Sequence, residues 1–251
     1  MSRRTFVIAG LSAATVPAMA GCKDPAPLPP ADPRLTARPG IPPLTPTLGL
    51  SALDLEDGRD GQLYVPTQYT PDVAMPLFVA LHGAGGASDA WTSYHARAEA
   101  RGMILLAPDS RAQTWDLLVG GLGPDVNFLD AALEFTFDRC RVDPARVAFG
   151  GFSDGASYAL SLGVSNGDLF THLVGYSPGV VQATDPLVGK PRVYVSHGFR
   201  DLVIPVENTR DVIVPGLEDA GYEVEYNEFD GGHLVPAAVS EAALDWFLDA
   251  G

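Results

Sequence analysis

Arg146-Val147-Ala148-Phe149-Gly150-Gly151-Phe152-Ser153-Asp154-Gly155-Ala156-Ser157-Tyr158 joins a short apolar run to a helix start through a Gly-x-Ser-x-Gly pentapeptide. A strand, a sharp turn and a helix in that order hold the serine in a strained backbone conformation. Only small neighbours tolerate such a turn, and it leaves the hydroxyl exposed at the carboxyl end of a sheet. The pentapeptide alone also fits an ordinary strand-to-helix turn, so the decision rests on the rest of the chain.

Two further stretches supply what a serine nucleophile needs. Asp201 closes Val193-Tyr194-Val195-Ser196-His197-Gly198-Phe199-Arg200-Asp201, an apolar strand followed by a glycine turn. His233 follows a second strand, Glu223 to Phe229, and the turn Asp230-Gly231-Gly232. A serine hydroxyl is a poor nucleophile until a base takes its proton. Histidine titrates near neutrality, and a carboxylate fixes its tautomer and steadies the imidazolium. Ser153, Asp201 and His233 thus form a candidate triad, each member on a loop just after a strand.

Pro76-Leu77-Phe78-Val79-Ala80-Leu81 reads as a buried strand that runs into His82-Gly83-Ala84-Gly85-Gly86. A Gly-rich turn lets backbone N–H groups approach a developing oxyanion. The expected donors are the N–H groups of Ala84 and Asp154, with Gly85 as the alternative to Ala84. A phosphate-cradling loop is disfavoured because no Lys-Ser or Lys-Thr follows.

These four motifs resemble the α/β-hydrolase superfamily. The resemblance is narrower to lidless serine esterases related to phospholipase/carboxylesterases, polyhydroxybutyrate-depolymerase-like enzymes and feruloyl esterases. It is carried by Leu81 to Gly86, by Asp143-Pro144-Ala145-Arg146-Val147 leading into Gly151 to Gly155, by His197 to Asp201 and by Gly231-Gly232-His233, and it covers roughly residues 58 to 249. It implies an esterase acting through an acyl-enzyme intermediate, with no metal and no organic cofactor. It does not choose among aryl, polyhydroxyalkanoate, acetyl-polysaccharide and lysophospholipid esters. Two other readings stay open: a serine peptidase of the same fold, and a catalytically inactive hydrolase fold serving as a surface binding module.

The chain has 251 residues, 46% of them hydrophobic, which suits one α/β domain of about 200 residues around one good core. Its formal charge is −15, and Lys23 and Lys190 are its only lysines. That balance argues against a nucleic-acid partner and an anionic membrane surface.

Ser2-Arg3-Arg4-Thr5-Phe6-Val7 is close to a twin-arginine export signal, and the apolar stretch from Phe6 to Ala20 is too short for a mature membrane span. Met19-Ala20-Gly21-Cys22 resembles a bacterial lipoprotein processing site, with Met19 where leucine is usual. Cys22 is therefore the expected lipidation site, and plain cleavage near Ala18-Met19-Ala20 is the alternative. The expected division is an export signal over 1–21, a proline-rich tether over 22–46 and a catalytic domain over 47–251. Nine prolines between 25 and 46 disfavour helix and favour polyproline II.

Strands are expected at 77–81, 103–107, 146–150, 172–177, 192–197 and 223–229, and helices at 89–101, 125–140, 154–165, 207–220 and 236–249. Leu48 to Leu55 and Gln62 to Val65 add antiparallel strands. This alternation gives an α/β fold: a mostly parallel sheet with helices on both faces. Only twelve residues, Val180 to Pro191, stand between Gly179 and the strand leading to Asp201, too few for a helical cap. Cys140 reads as an inert core residue in line with Leu129, Leu133 and Phe137, and Trp91, Tyr94 and Ala98 as a core face. His82 and His197 are expected to brace their turns, His95 to be solvated and His172 to begin a strand. Trp115 either walls a substrate pocket or packs its own loop, and Gly120-Gly121-Leu122-Gly123-Pro124 reads as a flexible rim.

Overall fold

Strands β3 (Met75–Leu81), β4 (Ile104–Pro108), β5 (Val142–Phe152), β6 (His172–Tyr176), β7 (Arg192–Gly198) and β8 (Val224–Phe229) form the parallel part of one eight-stranded sheet. The sheet belongs to a computed structural model that describes residues 32–183 and 185–249. Strands β1 (Gly49–Ala52) and β2 (Gly61–Val65) complete it, in the order β1-β2-β4-β3-β5-β6-β7-β8. β2 runs antiparallel to both β1 and β4.

Parallel strands are covered on both faces, so they read as continuous apolar runs. In β3 the alternation divides the run between two cores. Leu77, Val79 and Leu81 pack with α2 (Pro124–Phe137), α3 (Asp154–Gly163) and α4 (Val214–Asp219). Phe78 and Ala80 pack instead with α1 (Thr92–Arg101) and α5 (Ala237–Leu248). The expected helix over 207–220 is two pieces, a π-helical stretch over Asn208–Ile213 and then α4. Pro215 lacks the N–H that regular helical bonding would use there. Among the described residues no helix or strand stands between Tyr176 and Arg192, so nothing caps the carboxyl edge of the sheet at that point.

Residues 33 to 44 do not behave as a tether. Leu35 is buried and donates its N–H to Asn166 Oδ1 at 2.9 Å, and Asn166 returns its Nδ2–H to Pro33 O at 2.7 Å. Arg34 and Arg38 both reach Asp168 Oδ2, at 2.7 and 2.8 Å, and the Leu44 N–H reaches Asp138 O. Proline removes helix but not side-chain burial, so the folded body extends back to Pro33 and not only to residue 47. The twin-arginine stretch, Cys22 and residues 22–31 of the expected tether lie outside the described residues. Within those residues no helix is long and apolar enough to cross a membrane.

Cys140 is fully buried just beyond α2, and burial pushes its thiol up to about 12. A thiol kept protonated is a poor nucleophile. In a Cys22→Ser chain, a disulfide-exchange reagent at mildly alkaline pH is expected to titrate no thiol until denaturant is added. Rapid reaction of the folded protein would contradict this placement.

Candidate active site

Ser153 sits between the end of β5 and the start of α3 with φ 57° and ψ −119°. This is a backbone region that L residues hold only when their surroundings impose it. The constraint comes from close packing of the elbow against β3. A Cβ at Gly151 would lie 2.5 Å from the Gly155 carbonyl carbon and 2.7 Å from Leu81 O. A Cβ at Gly155 would lie 2.5 Å from His82 O. The Ser153 N–H is tied to Tyr176 O at 2.8 Å.

The three sequence-derived candidates meet at the carboxyl edge of the sheet. Ser153 Oγ lies 2.9 Å from His233 Nε2, and His233 Nδ1 lies 2.6 Å from Asp201 Oδ2. A carboxylate only accepts, so Nδ1 carries the ring proton and Nε2 is left to accept from the serine. Asp201 Oδ1 accepts the N–H groups of Val203 and Ile204, at 2.8 and 2.9 Å. Burial opposes the charge on Asp201, but the donors from Ile204, His233 and Val203 hold its carboxyl below the ordinary range. Phe152 lays its ring against that of His233, with centroids 4.7 Å apart.

A Cβ on Gly83 would lie 3.3 Å from Ser153 Cβ, so the His82 to Gly86 loop abuts the serine. Gly85 donates its N–H to Gln113 O at 2.6 Å, which removes it as an anion donor. The N–H groups of Ala84 and Asp154 have no partner within the described residues. Asp154 is the first residue of α3, where the helix dipole favours negative charge.

Trp115 is not a pocket wall. It is fully buried, its indole N–H donates to His82 O at 2.9 Å, and its ring lies against His82 and Tyr158. A large ring with its one donor satisfied gains more from burial than from lining a cleft. The Gly120 to Pro124 stretch is anchored as well: Leu122 is buried, and Asp116 Oδ2 accepts the N–H groups of Gly123 and Asp125. Asp125 returns the bond by accepting the Asp116 N–H at 2.7 Å, and burial pushes its carboxyl up to about 6.

Sequence reading missed the supports of this site. Arg59 donates to Gly86 O at 2.7 Å and points at His82 Nε2, fastening the Gly-rich loop from a distant turn. Thr114 donates to Asp154 Oδ2 at 2.5 Å, linking the loop after β4 to the elbow. His95 is not simply solvated, since it stacks on Tyr64 with centroids 5.0 Å apart. Among the described residues no group of three or more His, Cys, Asp or Glu side chains is placed to hold a metal ion.

A mostly parallel sheet, a serine elbow after β5, and a carboxylate and a histidine after β7 and β8 decide the fold. The chain has the α/β-hydrolase fold. Solved structures agree: esterase PE8 superposes with a TM-score of 0.62 at 21% identity, covering 79% of this chain and 98% of that one. The Bacillus cereus carboxylesterase superposes at 0.57 with 17% identity, covering 76% of this chain and 94% of that one. In sequence, this chain is 32% identical over 125 residues to feruloyl esterase B of Thermothelomyces thermophilus, covering 46% of this chain and 42% of that protein. The match to the putative esterase NocK of Nocardia uniformis covers 37% of the latter, so the chain spans about two fifths of the length of the curated relatives it matches. No family model matches it.

Proposed function

We propose that this α/β-hydrolase chain is a serine esterase that hydrolyses carboxylic esters through an acyl-enzyme on Ser153. The observation that carries the reading is the unbroken chain from Ser153 Oγ through His233 to Asp201, at 2.9 and 2.6 Å, beside two unpartnered N–H groups. The esterase relatives support it. His233 Nε2 takes the serine proton as Oγ attacks the ester carbonyl. The N–H groups of Ala84 and Asp154 stabilise the resulting oxyanion. His233 then passes the proton to the departing alcohol, and a water molecule, deprotonated by the same nitrogen, releases the acid. Asp201 keeps Nδ1 protonated and steadies the imidazolium in both halves.

The rim of the site favours esters with an apolar part presented at the surface. The loops bearing Asp201 and His233 expose Phe199, Leu202, Val203 and Leu234, and Leu202 is 98% exposed. With no cap over them, they offer an open contact and not an enclosed acyl tunnel. Each added methylene gains about 0.8 kcal/mol only when fully buried. Hydrolysis is therefore expected to favour short acyl chains, with no jump in rate at the micellar threshold. Rates measured across a p-nitrophenyl ester series test this; a sharp rise above the threshold with preference for long chains would contradict it.

Export with a lipid anchor at Cys22 remains part of the proposal, supported by the Arg3-Arg4 and Ala20-Gly21-Cys22 patterns. Cys22→Ser is expected to move the enzyme from the membrane fraction to the soluble fraction at unchanged specific activity. An unaltered distribution would point to plain signal cleavage.

A further inference from the structure

We propose that His197 is a positioning residue that holds the carboxylate of Asp201 in the orientation His233 uses. The proposal rests on the esterase reading above. His197 is fully buried at the end of β7, and its Nε2 lies 2.9 Å from Ile204 O and 3.1 Å from Asp201 Oδ2. A carbonyl only accepts, so Nε2 carries a proton and donates it to Ile204 O, with Asp201 Oδ2 in close electrostatic contact beside it. Nδ1 lies 2.8 Å from Thr209 Oγ1, and the neutral ring accepts there from the hydroxyl. Burial lowers the pKa of His197, which keeps the ring neutral beside the triad.

The two oxygens of Asp201 are anchored differently. Oδ1 is fixed by the backbone N–H groups of Val203 and Ile204, whereas among the described residues Oδ2 meets only the side chains of His233 and His197. With His233 as its sole partner, Oδ2 could follow that ring as it moves between serine and leaving group. The partly positive His197 Nε2–H beside it resists this and keeps Oδ2 on the Nδ1–H side while positive charge develops. Thr209 in turn holds the His197 ring by giving its one hydroxyl proton to Nδ1.

Two amide variants separate this role from simple bracing of the turn. Glutamine places its amide nitrogen where Nε2 stands, and asparagine places its own where Nδ1 stands. His197→Asn is expected to lower kcat on p-nitrophenyl acetate on the order of tenfold to a hundredfold with KM unchanged, as for a displaced catalytic group. His197→Gln is expected to restore most of kcat, and labelling of Ser153 by a fluorophosphonate should follow the same order. Thr209→Val, a milder change, is expected to lower kcat with KM unchanged even if His197→Asn does not fold. Equal kcat in the Asn and Gln variants, or wild-type kcat in Thr209→Val, would overturn the proposal. If wild-type Ser153 itself escapes the probe, the esterase reading fails, and this proposal with it. If wild-type Ser153 is labelled and all three variants match it in rate, only the positioning role fails.

Discussion

Ser153→Ala is expected to abolish ester turnover, with a loss on the order of 10⁴-fold or more, while the protein keeps its fold. Among the described residues the hydroxyl makes one hydrogen bond, to His233, which alanine would lose. Strain at φ 57° is the same for either residue, so the elbow stays closed. What disappears is the hydroxyl oxygen that the proposed mechanism acylates. The residual rate comes from water attacking an ester still polarised by the two N–H groups. A variant retaining a tenth of wild-type kcat/KM, with an unchanged unfolding transition, would contradict the mechanism.

Gly155→Ala is expected to damage the elbow itself. The added methyl would stand 2.5 Å from His82 O and closer still to Leu81 O, both backbone atoms that cannot rotate away. Relief requires the start of α3 to move off β3, which separates Asp154 N–H from the Gly-rich loop. A cost of about 3 kcal/mol or more in stability is expected from this overpacking. Activity in the fraction that remains folded is expected to fall by at least about a hundredfold, since misplacement of this size is felt directly at the reacting atoms. Gly40→Ala is the control, because a Cβ there meets nothing within 4 Å. Denaturant midpoints and kcat/KM for the two variants check the contrast. Wild-type stability in Gly155→Ala would mean that the elbow is not packed in this way.

The sheet and the meeting of Ser153, Asp201 and His233 were legible because each depends on local pattern. Each of the three follows a strand and a small-residue turn, and parallel strands buried on both faces read as apolar runs. Chain order and the rule that such loops share one edge of the sheet did the rest. What was not legible depends on contacts between loops far apart in sequence. Arg59 reaches the Gly-rich loop from a turn before β2, Thr114 reaches Asp154 across the sheet, and the His197 side chain turns onto Asp201 because the chain folds back through Ile204. Trp115 could be assigned either way from sequence, since only the position of His82 O shows that its indole nitrogen is satisfied inside. Pro33 to Leu44 looked like a spacer because proline content says what a backbone cannot do, not what its side chains bury against.

The proposed esterase mechanism requires a covalent acyl group on Ser153. The most direct measurement is the mass of the protein quenched during turnover of p-nitrophenyl acetate, followed by peptide mapping. One acetyl group on the peptide containing Ser153 is the expected result, lost again when substrate is exhausted and absent from Ser153→Ala. Turnover with no acylated Ser153, or an acetyl group carried by another residue and persisting in Ser153→Ala, would contradict the account.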